Sequence, residues 1–563
     1  MAGALIHTVM PGDTLSGIAL RYLRDASRWG EITIHEEAFG TQPWNERGTA
    51  ADGSIIIFHG DRFRVPVEAP AIENVPEQTI VNGKIIQKKA WTGVEYQTPS
   101  PRIDVFFPDN PSSTEYSYSF RPESDAGAWS KLQGYNFTES VDDMEGSFSF
   151  TTENGEVGNR SIFDMIPLRS IVKIYEGGNR PAFIGIINSR RITKKMTSQG
   201  IKRSIVFSGK SITSIIVDYM ISFDVRIYNV AIGTNRQIEL VKQLSKVNKI
   251  EDFIKISWNY FKDVSSDVNE YLNGVTNTGI LETINRFLGS IDDFVNVTGS
   301  QRSLQYNIST IFFNTQNNHI ADVWRNVLPQ EVYEMFSYCD HEGNAKIIVR
   351  MVPFGNPSDT VNDWKALDLY TISPVSLISF DLEQNDNDVY TAFMPYIIGS
   401  ANSSEFYMAV NQSGRDSRVI YNAEKTAIYG FRPFQINFMG FDRSGNTDNR
   451  DAISTAEAIK RLNELAAYWY GRNDDMYSGS IILCTDFKNP EFNPRVGCRA
   501  RFLGGEFYIN KTEHTWAYGS TPTIKLSVSR GMVYDEHGIM RSGSYGIISD
   551  VGRRYKELEH QAT

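Results

Sequence analysis

The sequence predicts a multidomain, mainly β protein with α+β parts, and three observations carry that expectation. Strand-forming aromatics are abundant, with 32 Phe and 27 Tyr in 563 residues, a bias toward side chains that fit a pleated, half-buried surface. Short alternating or continuous apolar runs recur between Gly, Asn, Asp and Pro punctuation along most of the chain. Helical spacing is confined to a few stretches. A chain of this length has room for roughly three to four domains, whose cores can fold by burial without disulfides or metals.

Residues 1–66 form the first module. His7-Thr8-Val9-Met10 starts as a strand, Pro11-Gly12 turns it, and Asp13 or Thr14 is placed to cap a helix. Leu15, Ile18, Ala19 and Tyr22 follow at i, i+3, i+4 and i+7, one apolar helical face. Trp29 and Ile32 mark a second short helix, and Ile57-x-x-Gly60-x-x-Phe63-Arg64-Val65-Pro66 reads as a turn, a closing strand and a terminating Pro. The Gly12-Asp13-Thr14-Leu15 turn, the Ile18-Ala19 pair and the Ile57 to Pro66 close resemble the LysM family. That resemblance implies a small βααβ module. It also implies a groove, bordered here by Gly12, Asp13, Thr14, Leu15 and Ser16 and by the stretch from Ala38 to Ser54, which carries Trp44. Sugar-binding members take N-acetylglucosamine polymers there. Two departures fall on that rim: Glu36 stands near the family's usual Asn, and Ala38–Ser54 is longer than usual. They favour a protein partner over peptidoglycan as the ligand of the groove.

Residues 67–100 read as a Pro-punctuated linker with one hairpin signal, Thr79-Ile80-Val81-Asn82-Gly83-Lys84-Ile85-Ile86, because Asn-Gly between apolar runs favours a tight type I′ turn. Residues 101–225 form a first β domain. Its strands are expected at Ser147–Phe150, Ser170–Tyr175, Pro181–Asn188 and Arg203–Ser208, and a short helix carries Ile212, Ile215, Ile216 and Tyr219. Residues 226–333 change to helical spacing at Gln237–Leu244 and Ile280–Leu288, a helical insertion. Residues 334–535 return to strands: a hairpin at Glu334–Cys339 and Lys346–Val352, an amphipathic helix near Ser454–Arg472, and four closely spaced final strands. Residues 536–563 form a Ser/Gly-rich tail ending in a short charged helix.

Two sets of residues carry a second resemblance. One is Phe148-x-Phe150, then Pro167-x-x-x-Ile171-Val172-x-Ile174 and Phe183-Ile184-Gly185-Ile186-Ile187. The other is Pro494-Arg495-Val496-Gly497-Cys498, Phe507-Tyr508-Ile509, His514-x-Trp516, and a last strand ending in Arg530-Gly531. Together they look like the late-control protein D and baseplate-hub superfamily of contractile phages, tailocins and injection systems. The resemblance spans roughly Pro101 to Val533. It implies two tube-like antiparallel β-barrel or sandwich domains per chain and a homotrimer linking a six-fold tail tube to a three-fold central spike. It also implies LysM docking to baseplate wedge or sheath-initiating proteins, and assembly in the bacterial cytoplasm into a virion tail or injection-system baseplate.

Other chemistry finds little footing. Lys+Arg number 56 against Asp+Glu 67, for a net charge of −11, and no basic run stands out to neutralise a phosphate backbone. DNA is expected at most to pass through the lumen. No Sec-type leader and no run of about 18 apolar residues is present, so neither general export nor a membrane partner is expected. Three cysteines, Cys339, Cys484 and Cys498, form no disulfide framework. Cys339 near His341 is a poor peptidase pair, since such a nucleophile belongs at a helix N-terminus. His35-Glu36-Glu37 lacks a second metal-binding His, and Asp340-His341-Glu342 is a turn that cannot converge on one ion. No catalytic, metal or cofactor-binding residue is assigned. His514 and Trp516, two apart on a strand, share a face and read as packing. The rival reading is a LysM-anchored peptidoglycan hydrolase or adhesin, whose two carboxylates sequence alone does not single out.

Overall fold

The computed structural model describes residues 3–8, 14–16, 18–19, 26–36, 43–49, 55–58, 61–67, 79–81, 84–86, 101–108, 117–122, 131–157, 160–197, 200–218, 220–221, 243, 252–260, 287–288, 295–298, 318–328, 331–340, 342–353, 363–397, 420–438, 455–486, 493–502 and 505–532. The chain divides into two compact units, Met1–Lys88 with Ser549–Thr563, and Lys89–Ile548.

In the first unit β1 (Gly3–Thr8), β2 (Thr33–Glu36) and β3 (Arg62–Val67) form an antiparallel sheet with β3 in the middle. Leu15, Ile18 and Ala19 are buried with Ile32 and Phe63, the core their helical spacing predicts; Tyr22 lies outside the described residues. The second helix expected around Trp29 and Ile32 is a 3-10 helix, Ala26–Glu31, and the chain then enters β2. β-branched Thr33 and Ile34 suit a strand better than a continued helix, and they pair with Arg64 and Phe63. The unit therefore has a third strand that a βααβ module lacks. The expected hairpin is present as β4 (Thr79–Val81) paired with β5 (Lys84–Ile86); its Asn82-Gly83 turn lies outside the described residues.

The second unit begins with β6 (Arg102–Phe106), β7 (Tyr118–Phe120), β8 (Leu132–Ser140), β9 (Asp143–Glu153), β10 (Glu156–Val157), β11 (Arg160–Ser161), β12 (Ile171–Tyr175), β13 (Phe183–Thr197) and β14 (Gly200–Ser211). Next come β15 (Met220–Ile221), β16 (Val295–Thr298), β17 (Asn318–His319), β18 (Tyr333–Cys339), β19 (Ala345–Met351), β20 (Leu369–Thr371), β21 (Leu377–Glu383), β22 (Ala392–Ile397), β23 (Ile420–Tyr421) and β24 (Pro433–Phe438). The last are β25 (Tyr477–Cys484), β26 (Arg499–Phe502), β27 (Gly505–Ala517) and β28 (Thr523–Met532).

Thirteen of these strands make one sheet. Its path runs β21-β25-β28-β27-β8-β9-β14-β13-β12-β6-β7, with β26 attached through β27 and β20 through β26. The stretches 101–225 and 334–535, expected as separate β domains, thus contribute to a single sheet that is continuous across the β8–β27 pair. Joining them there removes two open edges whose unpaired N–H and C=O groups would otherwise face solvent or a stray strand.

Alternation explains which residues line the core. β9 alternates buried and open positions along its length, so Phe148 and Phe150 point inward together and pack with Phe120, Phe183 and Phe207. The Phe148 ring lies against two glycines: a Cβ on Gly185 would lie 2.4 Å from it, and one on Gly209 would lie 2.9 Å from it and 1.8 Å from the Ile186 carbonyl oxygen. Glycine at both positions is a packing requirement.

Within residues 226–333, expected as a mainly helical insertion, β16 and β17 are strands, and the helix over 252–260 buries Phe253, Ile254 and Trp258 in one apolar cluster with Ile320, Ala321 and Trp324 of the helix Ile320–Val327. Trp324 Nε1 donates to Ser257 Oγ at 2.8 Å. The helices expected at Gln237–Leu244 and Ile280–Leu288 lie outside the described residues apart from 243 and 287–288. The expected hairpin is the β18–β19 pair, and the expected amphipathic helix is Thr455–Tyr470.

Gly209→Ala is expected to destabilise the protein by about 2–3 kcal/mol through overpacking. Gly178→Ala meets open space at φ +65 and is expected to cost about 1–2 kcal/mol from backbone strain alone. Chemical denaturation of the two variants checks the order.

Candidate functional site

A buried polar cluster lies where β8 meets β27. Register sets Trp516 opposite Tyr135, His514 opposite Phe137 and Thr512 opposite Glu139, and the two-residue period puts all six on one face. Trp516 stacks on Tyr135 with ring centres 6.0 Å apart, and His514 lies over Phe137 at 4.3 Å with the rings 16° from parallel. The packing role expected of His514 and Trp516 is what this geometry displays.

Glu176, just after β12, gathers the polar ends. His514 Nδ1 lies 2.8 Å from its Oε1, the Tyr135 hydroxyl donates to the same oxygen at 3.2 Å, and Asn493 Nδ2 donates to Oε2 at 3.3 Å. Asn493 Oδ1 in turn accepts the Asp486 N–H at 2.9 Å. One buried carboxylate is thereby tied to partners more than 300 residues away in sequence. A buried ionisable group is tolerated only with such hydrogen-bonding partners.

Glu139 completes the cluster. It accepts the Cys339 N–H at 2.9 Å, and Arg495 donates to the Cys339 carbonyl. Burial raises the Glu139 carboxyl to about 7; Arg495, the Cys339 N–H and His514 oppose the rise, and Glu176 adds to it. Burial also pushes the Cys339 thiol far above its ordinary range, which leaves little thiolate for nucleophilic attack. Tyr135, Glu139, Glu176, Cys339, Asn493, Arg495 and His514 are all at most 9% exposed. The arrangement ties together strands from distant parts of the chain, and these side chains are buried.

Glu139 had a sequence signal: Tyr135-x-Phe137-x-Glu139 puts a carboxylate at a core-facing period-two position. Glu176, Asn493 and Arg495 had none, because their partners are far away along the chain.

The Arg530-Gly531 ending also has a local cause. Arg530 adopts φ 58, its guanidinium lies 3.9 Å from the centre of the Trp469 ring, and it donates to the Trp469 carbonyl near the end of the helix Thr455–Tyr470. A Cβ on Gly531 would lie 2.1 Å from the Phe507 ring. Trp469 and Arg530 line a cavity of about 400 Å³ together with Glu334, Tyr470 and Tyr508. The Tyr508 hydroxyl donates to Glu334 at 2.7 Å, and Arg350 Nη2 donates to the Tyr508 oxygen at 3.0 Å.

In the first unit Thr14 is exposed, Ser16 is half-buried and Leu15 is a core residue at 1% exposure. Gly12 and Asp13 lie outside the described residues; Trp44 opens the 3-10 helix Trp44–Glu46, with its side chain outside them. Sequence reasoning missed the buried ion pair of Arg47 and Asp61, in which Arg47 Nη2 donates to Oδ1 at 3.1 Å and Asp61 Oδ2 accepts the Phe58 N–H at 2.8 Å. His341 and the side chain of His35 lie outside the described residues. Among the described residues no group of three or more His, Cys, Asp or Glu side chains is arranged to hold a metal, and no helix is long and apolar enough to cross a membrane.

No family profile matches the chain, and no curated protein matches it. Among solved structures it is similar to the 43 kDa tail protein of prophage MuSo2 from Shewanella oneidensis, at 10% identity over 77% of this chain and 98% of that one, TM-score 0.40. It is similar to a tail protein from Neisseria meningitidis MC58, at 10% identity over 76% and 96%, TM-score 0.42. A third is the E. coli c3393 protein, a component of the type VI secretion system, at 10% identity over 74% and 78%, TM-score 0.30.

Two outcomes are expected at the junction. His514→Ala leaves Glu176 buried without its closest partner and is expected to cost about 2–4 kcal/mol. Glu139 carries a folded value of about 7 against an ordinary 4.5, so folding takes up a proton. Its contribution to stability is complete below the ordinary value and is lost as pH rises through about 7. Thermal melts across this range should show wild-type stability falling with pH and Glu139→Gln flattening that fall.

Proposed function

We propose that the chain is a structural component of a phage-type tail, the baseplate hub of a contractile phage tail, tailocin or injection system. The observation that carries this reading is the use to which the hub-like residues are put. Phe148, Phe150, Phe183, Phe507, His514, Trp516, Arg530 and Gly531 are spent on packing, on the β8–β27 junction and on seating the last residues of β28 against Trp469 and Phe507. In a hub, force has to cross between tube and spike, and one sheet spanning both β-rich stretches is a body suited to transmitting it.

In this reading three copies assemble into a ring that presents six similar faces to the tail tube and three to the central spike. A closed homo-oligomer satisfies that symmetry match. DNA passes through the lumen without being read. The N-terminal unit docks to a wedge or sheath-initiating protein, a role favoured by the Ala38–Ser54 insertion, whose Arg47 makes a buried ion pair with Asp61. Peptidoglycan is the competing ligand for that groove.

Native mass measurement of the full chain, alone and with its candidate spike, checks the proposal. The expected result is three copies that take up the spike and show no turnover of peptidoglycan. A strict monomer that binds no spike but digests cell wall would overturn it in favour of the hydrolase reading.

A further inference from the structure

The sequence shows no long basic run, yet folding creates a basic surface. β13 and β14 form a hairpin that continues past its neighbours: β12 pairs with β13 only as far as Ile186, and β9 pairs with β14 only from Ser204 onward. The projecting ribbon carries Arg191, Lys194, Lys195, Lys202 and Arg203 and no acidic residue between 191 and 203, in a chain whose net charge is −11. Arg190, at its base, is already used, donating to the Ile166 carbonyl at 2.9 Å.

The pairing within the ribbon is intrinsically unfavourable. Lys194 stands opposite Arg203, and Lys195 opposite Lys202. Like charges directly across a strand pair destabilise it, and an anionic partner would offset that cost. Two apolar side chains share the face of Lys194: Ile192 is 45% and Met196 is 86% exposed. Charge with exposed apolar side chains fits a protein surface better than a phosphate backbone.

A complementary surface exists on the same chain. β21 ends the sheet, paired among the described residues only with β25. Its Asp381 and Glu383 are exposed and stand opposite Ser480 and Ser478, so no cation faces them across the pair. Asp386 and Asp388 follow, and Val375 and Ile378 are 78% and 50% exposed. Among the described residues both surfaces have a backbone edge on which no strand pairs, both carry exposed aliphatic side chains, and their charges are opposite.

We propose that the β13–β14 ribbon of one copy seats on the β21 edge of a second copy of this chain. The contact is head-to-tail: each copy keeps one unused ribbon or edge until the ring closes. Added strand pairing supplies affinity, and opposite charge sets orientation and register. The proposal rests on the trimeric reading above.

The test uses the full chain and measures mass by sedimentation or native mass spectrometry. Lys194→Glu with Arg203→Glu, and separately Asp381→Lys with Glu383→Lys, should each weaken self-association about tenfold or more. All four substitutions in one chain should restore it, and added salt should weaken the wild type but not a neutralised ribbon (Lys194→Gln with Arg203→Gln). All these side chains are exposed, and circular dichroism confirms that each variant folds. If wild type is trimeric and both reversals leave it trimeric, the proposed contact is wrong and the hub reading stands. If wild type is a monomer at every concentration, both fail. If ribbon reversal leaves the mass unchanged but abolishes binding to a duplex DNA oligonucleotide, the ribbon is a nucleic-acid contact and the proposal is overturned.

Discussion

The second unit depends on burying polar and ionisable side chains without leaving them alone. Glu139, Glu176, Arg495 and His514 are nearly removed from water around the β8–β27 pair, where an unpartnered polar group costs more than a hydrogen bond returns. Each is tolerated because strands from distant parts of the chain supply its partners. Apolar packing would let neighbouring strands slide by a pair of residues at modest cost. A Glu176 that needs Tyr135, Asn493 and His514 together accepts one register only. The aromatic stack of Trp516 on Tyr135 and His514 on Phe137 fills the same face, so packing and polar pairing specify the same alignment.

Much of this architecture was legible in the sequence because it is local. Period-two alternation located β9, an Asn-Gly dipeptide located the β4–β5 hairpin, and i, i+3, i+4 spacing located the core residues Leu15, Ile18 and Ala19. What escaped notice was non-local or short. β2 is four residues long and follows a helical turn with no punctuation between them. The joining of the two β-rich stretches depends on β8 finding β27, and nothing in either strand names the other. The polar cluster was half visible: Glu139 interrupts an apolar alternation, but its link to Cys339 and the Glu176 links depend entirely on topology. The ribbon was hidden for a related reason, since its cations lie in two groups that meet only when the hairpin folds.

The two units use buried charge in the same way at different scales. In the first, Arg47 and Asp61 fix one loop segment against the approach to β3, and Asp61 also holds the Phe58 N–H. In the second, four segments are held at once.

The β8–β27 pair also has a consequence for synthesis. Asn136 and Glu513, hydrogen-bonded across it, are 377 residues apart. At elongation rates of about 5–20 residues per second, the free side of β8 waits on the order of tens of seconds for its neighbour to leave the ribosome. Long-range pairing of this kind slows folding and leaves a sticky strand exposed meanwhile. The carboxylates of Glu139 and Glu176 then lie in water rather than in a core, and their charge keeps the waiting surface soluble. The groups that are costly to bury at the end protect the chain until burial is possible.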